Sequence, residues 1–287
     1  MDAARPSRTA LSVAIRRASH QLYDPLPRVL VDPIAVPLLG MTYRPALERA
    51  RDNLNEPFPL GMRAFLLARS RLAEETLAEA VAQGCDQAQG CDQYVLLGAG
   101  LDTFAHRNPY PQVHVYEVDH PATQAWKRQL LAQANLASPA NLHYAPVDFE
   151  TQSLATQLAV AGLDPTRPTV FAWLGVVMYL TLEAFRATTA YVGSFPKGSA
   201  VIFDYSQPRH VLPLREQLAQ AALMARVAAI GEPFRLFLTP AQAALELAAF
   251  ARIEDLGATD LNLRYFANRS DGLQLGGTAG HILRAWK

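Results

Sequence analysis

The sequence predicts a doubly wound α/β fold: a parallel sheet with helices on both faces, an antiparallel C-terminal edge and a helical N-terminal cap. Two observations carry this reading. From Tyr94 onward, short apolar strand-like runs alternate with helical stretches, the signature of repeated strand–helix–strand units. Before Tyr94, the chain reads as helices with apolar residues at helical spacing. The expected organisation is a cap and lid over residues 1–92, packed on a core over residues 93–287 with a helical insertion at about 210–250.

Each element has its own signal. Ser7 stands as N-cap of a helix through His20, with Leu11, Ala14, Ile15 and Ala18 at helical spacing. Pro25 and Pro27 end it, and Asp32-Pro33 offers the next start, a capping carboxylate followed by a first-turn proline. The longest helical pattern covers 62–82, where Phe65, Leu66, Leu72, Leu77 and Val81 alternate with Arg69, Arg71, Glu74 and Glu75. A tandem duplication follows: Ala82-Gln-Gly-Cys-Asp-Gln87, then Ala88-Gln-Gly-Cys-Asp-Gln93, read as a lengthened surface loop. Strands are expected over 94–97, 114–118, 142–146, 170–173 and 200–204, with helices over 122–134, 151–161 and 182–192. Helices over 212–229 and 240–249 follow, then strands over 252–256 and 281–286 joined by a glycine-rich stretch through Gly280.

Composition narrows the function. A chain of 287 residues buries enough surface to fold without a disulfide or metal. Lys+Arg and Asp+Glu are both 26, so the net charge is zero, which argues against nucleic-acid binding and against a polybasic membrane anchor. Two cysteines suggest a reducing compartment. The longest apolar stretch, 169–180, is short of the roughly 18 residues that a membrane span needs. The apolar patch at 10–15 among Arg5, Arg8, Arg16 and Arg17 is too short for a signal segment, so a cytoplasmic protein is expected. Charged residues are 18%, below the roughly 25% of typical soluble chains, which leaves apolar surface for a ligand or a second subunit.

The chemistry concentrates at the strand ends. Tyr94-Val-Leu-Leu-Gly98-Ala-Gly100-Leu-Asp102-Thr103 runs an apolar strand into Gly-x-Gly, which lets the backbone turn sharply and a ligand approach main-chain atoms. Phe104 stands near where a full dinucleotide fingerprint would have its third glycine. The next strand ends in Asp119, 19 residues past Gly100, near the spacing of a ribose-binding carboxylate. An N-cap ahead of Pro121 is the competing role for Asp119. The third strand ends in Asp148, for which a helix cap before Leu154 is the alternative.

These motifs, with Pro146-Val-Asp148 and Met178-Tyr179-Leu180, resemble the leucine carboxyl methyltransferase family, and in particular its bacterial polyketide-type O-methyltransferases. The resemblance runs from about Val13 to the C-terminus. It implies a Rossmann-like class I methyltransferase core and S-adenosyl-L-methionine as cofactor. By the same matching, Arg69 grips the cofactor's carboxylate, Gly98 and Gly100 line its methionine part, Asp119 takes the ribose hydroxyls, and Asp148 with Phe149 faces the adenine. Many members carry Glu-Gly ahead of Met-Tyr-Leu, whereas this chain has Leu174-Gly175. That departure favours a small-molecule acceptor over a protein tail.

The implied reaction is O-methylation of a carboxylate or hydroxyl on a small, polyketide-like acceptor. Carboxyl methylation of a protein or peptide C-terminus and a non-catalytic cofactor-binding protein are the alternatives. A nicotinamide-dependent dehydrogenase is disfavoured by the absent third glycine and the acidic third strand end. His20, Tyr205, His210, Arg264 and Tyr265 are candidates for the acceptor pocket, and either histidine could serve a phenolic acceptor as base. Cys85 and Cys91, six residues apart with no nearby histidine pair, do not suggest zinc.

Overall fold

A computed structural model describes residues 7–84, 90–148, 152–229 and 231–287. Its sheet has the order β3-β2-β1-β4-β5-β7-β6. The strands are β1 (Gln93–Leu97), β2 (His114–Asp119), β3 (Leu142–Pro146), β4 (Thr169–Trp173), β5 (Ala200–Ser206), β6 (Arg252–Leu256) and β7 (Gly280–Trp286). β1 to β5 run parallel, and β7 pairs antiparallel with both β5 and β6. The antiparallel strand of the C-terminal pair is therefore one place in from the edge. From β1 the chain steps outward to β2 and β3, then crosses to β4 on the other side of β1. This reversal opens a crevice at the carboxyl ends of β1 and β4.

The helices are α1 (Arg8–Tyr23), α2 (Ala35–Leu39), α3 (Arg44–Asp52), α4 (Pro57–Gly84), α5 (Pro121–Gln133), α6 (Leu154–Val160), α7 (Leu182–Gly193), α8 (Leu214–Ala229), α9 (Pro240–Glu246) and α10 (Ala258–Tyr265). Alternation along β1 divides the core between them. Tyr94 and Leu96 pack with Leu67, Ala68, Leu72 and Leu77 of α4 on one face. Val95 and Leu97 pack with Leu158, Phe185, Val192 and Leu247 from the α6, α7 and α9 side on the other. Burying a leucine such as Leu72 contributes about 1.5–3 kcal/mol, so α4 is held to the sheet by apolar area rather than by its charges. Ala14, Ala18, Leu38 and Leu47 from the first three helices pack with Leu130 and Leu131 of α5.

Two helices escape the sequence reading. α3 buries only Leu47, so its apolar stripe is too thin to register. α10 starts beside Gly257, whose N–H donates to Asp260 Oδ2 at 3.1 Å, inside what reads as a glycine-rich connection. The duplication also differs from a simple surface loop. Cys91 is buried, and Gln93 opens β1 with its amide donating to the Asp164 carbonyl and to Thr169 Oγ1, both at 2.9 Å. The second copy is framework because β1 needs a buried start; Cys85 lies outside the described residues.

α1 is tied to the glycine turn by charge. Ser7 Oγ accepts from the Ala10 N–H at 3.2 Å, giving the N-cap the sequence implies. Further along the helix, buried Arg17 pairs with Asp32 and Asp102, each at 2.6 Å. Asp32 also accepts from the Thr103 hydroxyl at 2.7 Å. Burial would raise the Asp102 carboxyl, but Arg17 and Arg107 outweigh it and hold it well below the usual carboxylate range.

Candidate functional site

The crevice is a cavity of about 1390 Å³, lined among others by Arg69, Gly98, Gly100, Asp119 and Asp148. Ligand pockets run to roughly 1,000 Å³, so this one has room for two small molecules side by side. At its base the Gly98 and Ala99 N–H groups both donate to the Val118 carbonyl, at 2.8 and 2.9 Å, which locks the turn onto β2. Gly98 has φ +72°, and a Cβ there would collide with the Val176 side chain. Gly100 has φ +50°, and a Cβ there would lie 3.1 Å from the Ala10 Cβ of α1. Only glycine fits either place.

Asp119 is not the cap of α5. His120 is, its side chain accepting from the Ala122 N–H, with Pro121 following. The Asp119 carboxylate instead accepts from the Gly100 N–H at 2.6 Å and from the His120 N–H at 2.7 Å. Burial pushes this carboxyl up, against the pull of those two N–H groups. Each carboxylate oxygen has a second lone pair, so Asp119 can still accept from a diol. Likewise Asp148 does not cap α6, since Ser153 does. The Asp148 N–H donates to the Gln152 side-chain oxygen at 2.9 Å, and the residue lines the cavity. Phe149 lies outside the described residues.

Arg69 comes from α4 and is nearly buried. Its Nη1 donates to Asp204 Oδ2 at 2.9 Å, and its Nε is buried with no partner among the described residues. Asp204 Oδ1 also accepts from the Gly175 N–H at 2.5 Å. The guanidinium turns its two Nη atoms to Gly175, 2.8 and 2.9 Å from where a Cβ would stand. Asp204 therefore brings a carboxylate beside the position where Leu174 brings none. The sequence reading assigns Asp204 no role, although it closes the expected strand 200–204 just as Asp119 closes the second strand.

The proposed acceptor residues disperse. His20 is fully buried, its Nδ1 2.6 Å from Asp24 Oδ2, while Arg63 holds the same carboxylate at 2.9 and 3.0 Å; it does not line the cavity because α1 turns it into this ion cluster. His210 is exposed in the turn after β5 and is also absent from the cavity wall. Arg264 and Tyr265 face α4, not the cavity, and both bind Glu75, at 2.9 and 2.7 Å. Tyr205 does reach the wall, but its hydroxyl donates to Asp255 Oδ2 at 2.5 Å, and burial followed by that carboxylate pushes its pKa far up. Among the described residues no group of three metal-ligating side chains occurs, and no helix is long and apolar enough to cross a membrane.

The bare glycine turn, a carboxylate with open lone pairs and a buried guanidinium fit a ligand that carries a diol and an amino-acid group. Comparison with known proteins agrees. The sequence profile of the leucine carboxyl methyltransferase family matches residues 10–193. YktD of Bacillus subtilis, named as a candidate S-adenosyl-L-methionine-dependent methyltransferase, is 31% identical, with 96% of each chain covered. A candidate methyltransferase from Thermobifida fusca has the same fold, with a TM-score of 0.58 at 17% identity, covering 100% of this chain and 96% of that one. A duf574 family protein from Streptomyces avermitilis superposes with a TM-score of 0.55 at 19% identity, covering 96% and 97%. The chain belongs to the leucine carboxyl methyltransferase family and is an enzyme that uses S-adenosyl-L-methionine.

Proposed function

We propose that the chain methylates an oxygen, carboxylate or hydroxyl, on a small apolar acceptor. The observation that carries this reading is the continuation of the cavity beyond the glycine turn. There its wall includes Phe58, Met62, Phe65, Leu66, Leu223 and Phe234, contributed by α4, α8 and the segment after α8. An apolar chamber of this kind suits a ring or alkyl body better than a polar peptide tail.

S-adenosyl-L-methionine supplies a methyl group already activated by its positive sulfur. The residues that would hold it are Asp119 at the ribose, Gly98 and Gly100 beside the methionine part, Asp148 with Phe149 at the adenine, and Arg69 at the carboxylate. The remaining task of the chain is alignment and exclusion of water. Ser7 Oγ at the start of α1 donates to Glu232 Oε1 at 3.3 Å, so two of the segments that line the chamber touch each other. A carboxylate acceptor is ionised at neutral pH, whereas a phenol with a pKa near 10 gains from a base.

The test is transfer of a labelled methyl group from S-adenosyl-L-methionine to a panel of aromatic acids, phenols and C-terminal peptides. Label in an acid or phenol supports the reading. Label in the peptides alone overturns it.

A further inference from the structure

Most arginines that the fold buries have a carboxylate partner. Arg17 has Asp32 and Asp102, Arg63 has Asp24, and Arg69 has Asp204. Arg16 does not. It lines the cavity from α1, and its guanidinium reaches only its own helix, donating to the Ser12 carbonyl at 3.1 Å and to the Ser12 hydroxyl. Its Nε is buried with no partner among the described residues. Burial first, and then the like charge of Arg63, push the Arg16 guanidinium below its ordinary pKa. A guanidinium does not shed its proton near neutral pH, so it sits on the cavity wall as an uncompensated charge.

The surroundings raise the same demand. Arg226 also lines the cavity and stacks 5.4 Å above the Phe58 ring instead of pairing with a carboxylate. Met62 and Phe65 of α4 line the same cavity, so its wall combines apolar side chains with these cations. We propose that Arg16 is the anchor for a carboxylate on the acceptor, and that the substrate class is an aromatic or alkyl hydroxy acid. This rests on the small-acceptor reading above and adds the charge of the acceptor to it.

The anchored carboxylate is the handle, not the methylated group. Ala10 of α1 packs on the glycine turn, and Arg16 lies six residues further along the helix, a rise of about 9 Å. A carboxylate held in a charged pair by a guanidinium is also a weaker nucleophile than a free one, because the pair draws off its electron density. The oxygen that takes the methyl is therefore a hydroxyl at the other end of the molecule.

Calorimetric titration of protein saturated with S-adenosylhomocysteine tests this, with 3-(4-hydroxyphenyl)propanoate and its neutral counterpart 4-propylphenol as probes. The wild type should bind the acid roughly 10- to 100-fold tighter than the phenol, the range of a charge-assisted hydrogen-bonded pair. Arg16→Gln should lose that preference, Arg16→Lys should recover part of it, and S-adenosylhomocysteine affinity in both should match wild type, showing an intact fold. Equal affinities in the wild type, or a preference that survives Arg16→Gln, would overturn the assignment and leave the small-acceptor reading standing. Failure of both probes to bind would overturn the substrate class and count against that reading as well.

Discussion

Arg69 and Asp204 form an ion pair at 2.9 Å that joins α4 to the end of β5, with both side chains almost wholly removed from water. The pair is the point where the longest helix meets the catalytic end of the sheet. Removing one partner leaves an uncompensated buried charge, which typically costs about 3–5 kcal/mol. Asp204→Ala also strips the Gly175 N–H of its acceptor. Urea denaturation of Asp204→Ala should show a loss of that size, and a loss under about 1 kcal/mol, the range of an exposed pair, would contradict it.

A second prediction concerns acid. Asp102 is held below the ordinary carboxylate range by Arg17 and Arg107 in spite of burial. Its contribution is fully present above the unfolded pKa of about 3.9 and is lost as pH falls toward the lower folded value. Asp102→Asn should therefore be less stable than wild type at pH 7, and the gap should narrow below about pH 4. Denaturation curves at pH 7, 4 and 3 measure it; a gap that stays constant would show that Asp102 is not paired in the folded protein.

The duplicated hexapeptide gives a third. Deleting residues 88–93 joins Cys85-Asp86-Gln87 to Tyr94, so an identical triplet replaces Cys91-Asp92-Gln93 at the start of β1. Shortening a flexible connection changes stability by only about 0.6 kcal/mol per twofold change in length. The deletion should leave the melting temperature nearly unchanged. Gln93→Ala should not, because the Asp164 N–H, which Gln93 Oε1 receives at 2.8 Å, is left without its acceptor at about 1–3 kcal/mol. The reverse order of the two effects would sink this account.

The sheet was legible because its central strands β1 and β4 are buried on both faces; β3 and β6, part-exposed, still agree with the sequence boundaries to the residue. The cofactor side was legible for a related reason, since Gly98, Gly100 and Asp119 lie within 22 residues of one another. The acceptor side was not. Arg264 and Tyr265 look like pocket residues in the sequence, yet Glu75, 190 residues away from Tyr265, draws them onto α4. His20 looks like a base, yet Asp24 and Arg63 absorb it. Glu75 and Arg63 come from distant segments, which no local periodicity reports, whereas Asp24, four residues after His20, stood within reach. Asp204 was within reach, because it shares the strand-end position that singled out Asp119.

The most direct test of the site is the affinity of S-adenosylhomocysteine for wild type and for Asp119→Ala, measured by titration calorimetry, with circular dichroism to confirm that the variant folds. Asp119 accepts from the Gly100 and His120 N–H groups and keeps lone pairs for the ribose diol. Losing a charged acceptor costs about 1.5–3 kcal/mol, so the dissociation constant should rise about 10- to 100-fold in a folded protein. An unchanged dissociation constant would show that the cofactor does not meet Asp119 and would contradict the site described at the ends of β1 and β2.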